Sequence, residues 1–319
     1  MREMTFEDRF QQSIENFRNI EKPDFRSNQV TLFADFVELR TIFSNDEAQG
    51  FGDVQDSFFG QKNYKNARER DEDEKLIIEI FQILEERSIL FEEDYPFVVL
   101  EGTKLTLKQD LSIKNKTYIS LLISSMLNIF LEFKSTLSTE FEIICFEAFK
   151  NFLPQKSVVK HFGKHSAYIG NAITKIKALA KDLNLEIDEY ELSQVNERNN
   201  QERGLDIVGW IPFHDRGQNQ VIFLGQSACG KDYESKQHDT RRFENYLRLY
   251  KTEPQHVLFV PYSLINRRVN KFYHSDLIEK DYLVFERKRL IEFYSGNNFE
   301  NLESCRLVNA CISYKEPLV

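Results

Sequence analysis

The chain has 319 residues, 41% hydrophobic and 29% charged, with a formal net charge of −9. That balance excludes a disordered or fibrous chain and argues against a generally basic nucleic-acid binder, and the length suits two ordinary domains. The charge is uneven: residues 204–319 carry 16 Lys and Arg against 15 Asp and Glu, so the acid excess lies in residues 1–203. A nucleic-acid surface is therefore expected in the C-terminal third, if the chain has one. Phe occurs 28 times, which predicts aromatic cores.

Cys145, Cys229, Cys305 and Cys311 form no CxxC pair, which suits reduced thiols and a cytoplasmic protein. The opening "MREMTFEDRF" has no apolar stretch of the kind a signal peptide needs. The longest apolar run, "YISLLISSMLNIFLEF" from Tyr118, is shorter than the ~20 residues of a membrane span. It reads as a buried helix, and no membrane association is expected.

In chain order, "NQVTLFADFVELRTIF" (28–43) has helical spacing at Phe33, Phe36, Val37 and Ile42. Residues 71–88 open with four acids and continue helically through Leu76, Ile77, Ile80, Phe81 and Leu84, so the acids read as a dipole-complementing first turn. "YPFVVLEGTKLTLK" (95–108) reads as two strands around Glu101-Gly102. These elements predict a mostly helical domain over 1–134, winged-helix-like in outline and acidic, so a regulatory or partner surface is at least as well supported as DNA binding. A second domain, 135–319, starts with a helix over 135–154, which Ser138 or Thr139 can cap and Pro154 ends. A helix follows at 171–183 inside an insertion near 165–200. "LDIVGWIPF" and "VIFLGQSA" then form a hairpin, followed by a helix at 237–251, the strand "HVLFVPYSL" and a final helical stretch. The order predicts an α/β layer with a small central sheet.

Two neighbouring strands carry polar groups in apolar runs: Asp206 in "GLDIVGW" and Gln226 in "GQSACGK". A carboxylate and an amide oxygen are hard ligands that suit Mg²⁺, whereas ordinary strand-end decoration is the competing reading. Glu142 strengthens the first, because it shares the stripe of Phe146, Phe149 and Leu153 and should face the core. Its competing reading is a carboxylate at an exposed first turn. Arg241, Arg242, Arg267 and Arg268 are candidate phosphate contacts, with solvated faces as the plainer alternative. The six histidines lack zinc spacing, "GQSACGK" is not a P-loop, and Cys229 has no evident His–acid partner.

The helix with Phe141-Glu142, then G-x-D-I-V (204–208), then an apolar strand ending in Gln226, resembles the restriction-endonuclease-like PD-(D/E)xK superfamily, in its Mrr-like branch with glutamine as the second "acid". The resemblance covers roughly 135–319. It implies a restriction-endonuclease-like domain with a small mixed sheet flanked by helices. It also implies a Mg²⁺-dependent (Mn²⁺-substitutable) endonuclease acting on DNA, with Glu142, Asp206 and Gln226 as metal-site residues. A homodimer or a defence-system partner protein fits the same class, and the layout resembles proteins of bacterial anti-phage defence. The departure is at Ala228, where the family lysine should stand; Lys231 is the nearest replacement. A catalytically impaired nuclease-fold module that binds DNA or a partner is the alternative.

Overall fold

A computed structural model describes residues 4–20, 30–60, 62–195, 204–215, 217–230 and 233–315. They form two compact units. Unit 1 takes Met1–Leu137, Tyr262–Ser275 and Gly296–Val319; unit 2 takes Ser138–Pro261 and Asp276–Ser295. The sequence boundary at 134 and the unit boundary at Leu137 fall in the same turn of helix. The two C-terminal segments that sequence reading left with the second domain belong to unit 1 instead.

Unit 1 begins with α1 (Phe6–Arg18), α2 (Val30–Phe43), β1 (Ala48–Gly50), α3 (Phe51–Phe59), α4 (Ala67–Phe91), β2 (Phe97–Leu100), β3 (Lys104–Leu107) and α5 (Ile113–Ser125). The three strands pair in the order β1-β3-β2. Glu101 and Gly102 both take positive φ, and Thr103 N–H closes the β2–β3 turn onto Leu100 O. α4 starts earlier than expected because the Asn66 side chain accepts the Glu69 N–H. The acidic run therefore falls beyond the first turn, where Arg68–Glu72 and Arg70–Glu74 pair at i,i+4. The apolar run from Tyr118 is not one helix: α5 begins at a Ser112–Asn115 capping box and stops at Ser125.

Aromatic rings fill this core, among them Phe36, Phe43, Phe91, Tyr95, Phe97 and Tyr118. Two carboxylates are buried with them. Asp35 and Glu38 both pair with the Arg87 guanidinium at 2.8 Å, and the Tyr95 and Tyr118 hydroxyls donate to Glu38. Arg87→Met should lower the unfolding free energy by about 3–5 kcal/mol in urea titration, because it strands two buried carboxylates. A loss under ~1 kcal/mol would show that Arg87 is not what neutralises them.

Unit 2 continues with α6 (Lys134–Phe152), β4 (Val158–His161), α7 (Ala172–Leu183), β5 (Glu186–Ile187), α8 (Glu189–Ser193), β6 (Ile207–Ile211), β7 (Val221–Ser227), α9 (Tyr233–Arg241), α10 (Phe243–Tyr246), β8 (Leu247–Arg248) and β9 (Gln255–Phe259). The chain then enters unit 1 for β10 (Ile265–Asn266) and β11 (Lys271–Phe272), returns for β12 (Tyr282–Phe285) and α11 (Arg287–Phe293), and re-enters unit 1 for α12 (Glu303–Ser313). The central sheet has the order β12-β9-β7-β6-β4: β12, β9 and β7 run parallel, and β6 and β4 attach antiparallel. Helices cover both faces, so the chain is mixed α/β with a mixed sheet flanked by helices. On one face, Phe149 of α6 meets Phe223, Phe259 and Phe285. On the other, Ile176, Leu179 and Leu183 of α7 share a core with Val208, Trp210, Ile222 and Leu224. The helix expected at 171–183 is α7, and it packs into this core. β4 and β12 are strands that sequence reading did not assign, and residues 237–251 are α9, α10 and β8 rather than one helix.

His256 on β9 is buried, with Nε2 2.7 Å from Glu244 and Nδ1 2.9 Å from the Thr240 hydroxyl. A neutral ring fits this, with Nε2–H donating and Nδ1 accepting. Burial holds the pKa below the ordinary 6.5, Glu244 opposes that shift and Arg241 adds to it. Below pH ~6.5 the unfolded chain takes up a proton that the folded ring resists, so stability present above that pH is lost as pH falls. Wild type should thus lose more stability than His256→Gln between about pH 7.5 and about pH 5 in thermal unfolding. Parallel curves would refute a neutral buried His256.

Candidate functional site

α6 can lie close on the sheet because position 209 has no side chain. A Cβ there would stand 2.9 Å from the Phe149 ring and 3.2 Å from Leu153. Glu142 is two turns before Phe149, on the same helix face. It is 6% exposed, as its apolar stripe predicts. α6 begins at Lys134, so Glu142 sits in the third turn and the first-turn dipole reading does not apply. Its Oε1 is 3.3 Å from His161 Nδ1, and the His161 ring stacks on Phe146 with centroids 3.9 Å apart.

Asp206 stands just before β6, where strand alternation breaks. Phe162 and Gly163 N–H groups both donate to Asp206 O, at 2.7 and 3.0 Å. Two residues thus oppose one, the pattern of a β-bulge, which bends a strand end and re-aims the side chain there. The Asp206 carboxylate accepts the Ser227 N–H at 2.8 Å. The two carboxylates meet at Gly163: a Cβ added there would lie 2.9 Å from Asp206 Oδ1 and 3.0 Å from Glu142 Oε1. Both oxygens therefore flank one small space, no more than about 6 Å from each other.

Gln226 is buried at the end of β7, with its amide turned to α9. Nε2 is 3.4 Å from Asp239 Oδ2, and in the reversed amide orientation the nitrogen donates to Lys236 O and Gly204 O. Ala228 is buried, with its N–H on Phe259 O. Lys231 lies outside the described residues. The four arginines divide between the units. Arg241 stacks over the Tyr282 ring at 5.5 Å and Arg242 pairs with Asp239 at 3.0 Å. In unit 1, Arg268 pairs with Glu86 and donates to Gln82, and Arg267 is exposed.

Thr139 lies within α6 rather than at its cap, and its hydroxyl takes the Lys164 ammonium at 2.8 Å. Burial raises the pKa of the Cys145 and Cys229 thiols, so neither is a thiolate at neutral pH. Among the described residues, no group of three or more His, Cys, Asp or Glu could hold a metal ion, so the protein offers two carboxylates and no closed cage. Sequence reading missed His161, Gly163 and Lys164. The β-branched pair Val158-Val159 at the start of β4 was the available signal for the strand that carries His161; the bulge at Gly163 is tertiary and left none. Comparison with protein-family models, curated proteins and solved structures returns no match.

Asp206→Asn keeps an acceptor for the Ser227 N–H, and Asp206→Ala does not. Asp206→Ala should therefore fall below Asp206→Asn in stability by about 1–3 kcal/mol. Denaturant titration of the two variants checks this, and equal stabilities would show that the Ser227 N–H does not depend on the side chain at 206.

Proposed function

We propose that unit 2 is a divalent-metal-dependent nuclease unit that hydrolyses DNA phosphodiester bonds. The observation that carries this is the convergence of Glu142 Oε1 and Asp206 Oδ1 on the space beside Gly163. The donor set suits Mg²⁺ or Mn²⁺, since Mg²⁺ is held by one or two carboxylates and keeps several of its waters. Once bound, such an ion acidifies water and offsets charge on a transferring phosphoryl group. The chain's own residues prepare the place. Ser227 N–H fixes the Asp206 carboxylate, His161 orients Glu142, and Gly163 leaves the volume open. A role in restriction-type or anti-phage defence extends the PD-(D/E)xK resemblance and rests on it.

Unit 1 is read as an interaction module. Its order of helix, strand, two helices and hairpin, with strands β1-β3-β2, is that of a winged helix. Its long α4 exposes Asp71 and Glu72, which repel phosphates, and Gln82 and Glu86 already engage Arg268. One observation favours a second reading, a module that binds without cutting: Ala228 stands buried where a lysine was expected.

Supercoiled plasmid separates the two. With Mg²⁺ or Mn²⁺ the full chain should nick or cut it, and Glu142→Gln and Asp206→Asn should each lose on the order of 100-fold or more in rate. Equal cutting by wild type and Asp206→Asn sinks the assignment. Asp206-dependent Mn²⁺ binding in calorimetry without any cutting selects the second reading.

A further inference from the structure

A carboxylate pair that is to act on a phosphodiester needs positive charge on the phosphate side, since phosphate and carboxylates otherwise repel. Several cations of unit 2 already have partners. Arg242 pairs with Asp239, Lys160 with Asp182 at 2.6 Å, and Arg241 lies over the Tyr282 ring. Lys164 differs. It follows Gly163, the residue against which both carboxylates converge. Its ammonium is held at 2.8 Å by the neutral hydroxyl of Thr139, three residues before Glu142 on α6. Residues three apart on a helix are neighbours, so this anchor lies one turn from the buried Glu142. Lys164 is exposed, and no carboxylate pairs with it among the described residues.

We propose that Lys164 is the cation that contacts the DNA phosphate facing the Glu142–Asp206 pair. Sequence reading gave phosphate contacts to Arg241, Arg242, Arg267 and Arg268, and named Lys231 only as the nearest replacement for the family lysine missing at Ala228. The Thr139 hydroxyl holds the ammonium one turn of α6 from Glu142 without neutralising it, and a hydroxyl is readily exchanged for phosphate oxygen, the stronger partner. The backbone link to Gly163 ties its position to the bulge that aims Asp206. This proposal rests on the nuclease reading for the substrate, but its own readout is binding and not cleavage.

The test uses the full chain and a labelled duplex in Ca²⁺, followed by fluorescence anisotropy across a salt series. Each lost phosphate contact lowers the slope of log affinity against log salt by about 0.9. Lys164→Ala should show that drop with a several-fold weaker affinity, and Lys164→Arg, which keeps the charge, should restore the wild-type slope. Lys231→Ala, the rival, should leave the slope unchanged. An unaltered slope for Lys164→Ala, or a wild type that binds no duplex, overturns the assignment whatever the plasmid experiment gives. A slope change in a protein that cuts nothing upholds Lys164 as a phosphate contact and removes the nuclease reading alone.

Discussion

The close approach of α6 to the sheet at Gly209 governs the arrangement of unit 2. Phe149 can stand among Phe223, Phe259 and Phe285 because position 209 offers no Cβ. Aromatic contacts of this kind hold a helix firmly at one height and rotation. Two turns away, that fixed rotation turns Glu142 inward, and the bulge at Phe162-Gly163 turns Asp206 toward it. A hydrophobic contact thus sets the position of two charges that the apolar core itself could not stabilise.

The two units treat buried carboxylates differently. In unit 1, Asp35 and Glu38 share one guanidinium, and two phenol hydroxyls donate to Glu38, so both carboxylates have a cation beside them in the core. In unit 2, Glu142 is nearly as buried, and among the described residues its side-chain hydrogen bond is a long one to the His161 imidazole. The two clusters thus hold their carboxylates with different partners, a guanidinium in one and an imidazole in the other.

Much of this was legible along the chain, and the limits are instructive. The inward face of Glu142 follows from the 3.6-residue stripe through Phe149 and Leu153. The β2–β3 turn follows from Glu101-Gly102, and the β6–β7 hairpin from two apolar runs around a polar turn. Alternation put Asp206 on the face of Val208 and Trp210, but a bulge formed by residues more than forty positions earlier redirects it. Gln226 has the spacing of a ligand, but α9 brings Asp239 to its amide. Lys164 stands far from the hairpin in sequence and joins it only because β4 pairs with β6. Local pattern gives the face of a residue within a regular element; strand pairing and bulges decide what it meets, and at strand ends they can change the face itself.

The division of the chain has a consequence for how it is made. Unit 2 is bracketed by unit 1 on both sides, and α12, which packs on α5 and α2, is synthesised after every residue of unit 2. Every residue of unit 2 therefore leaves the ribosome before the last helix of unit 1 does. Translation that halts between Ser295 and Glu303 would release a chain that holds all of unit 2 and a unit 1 that lacks α12.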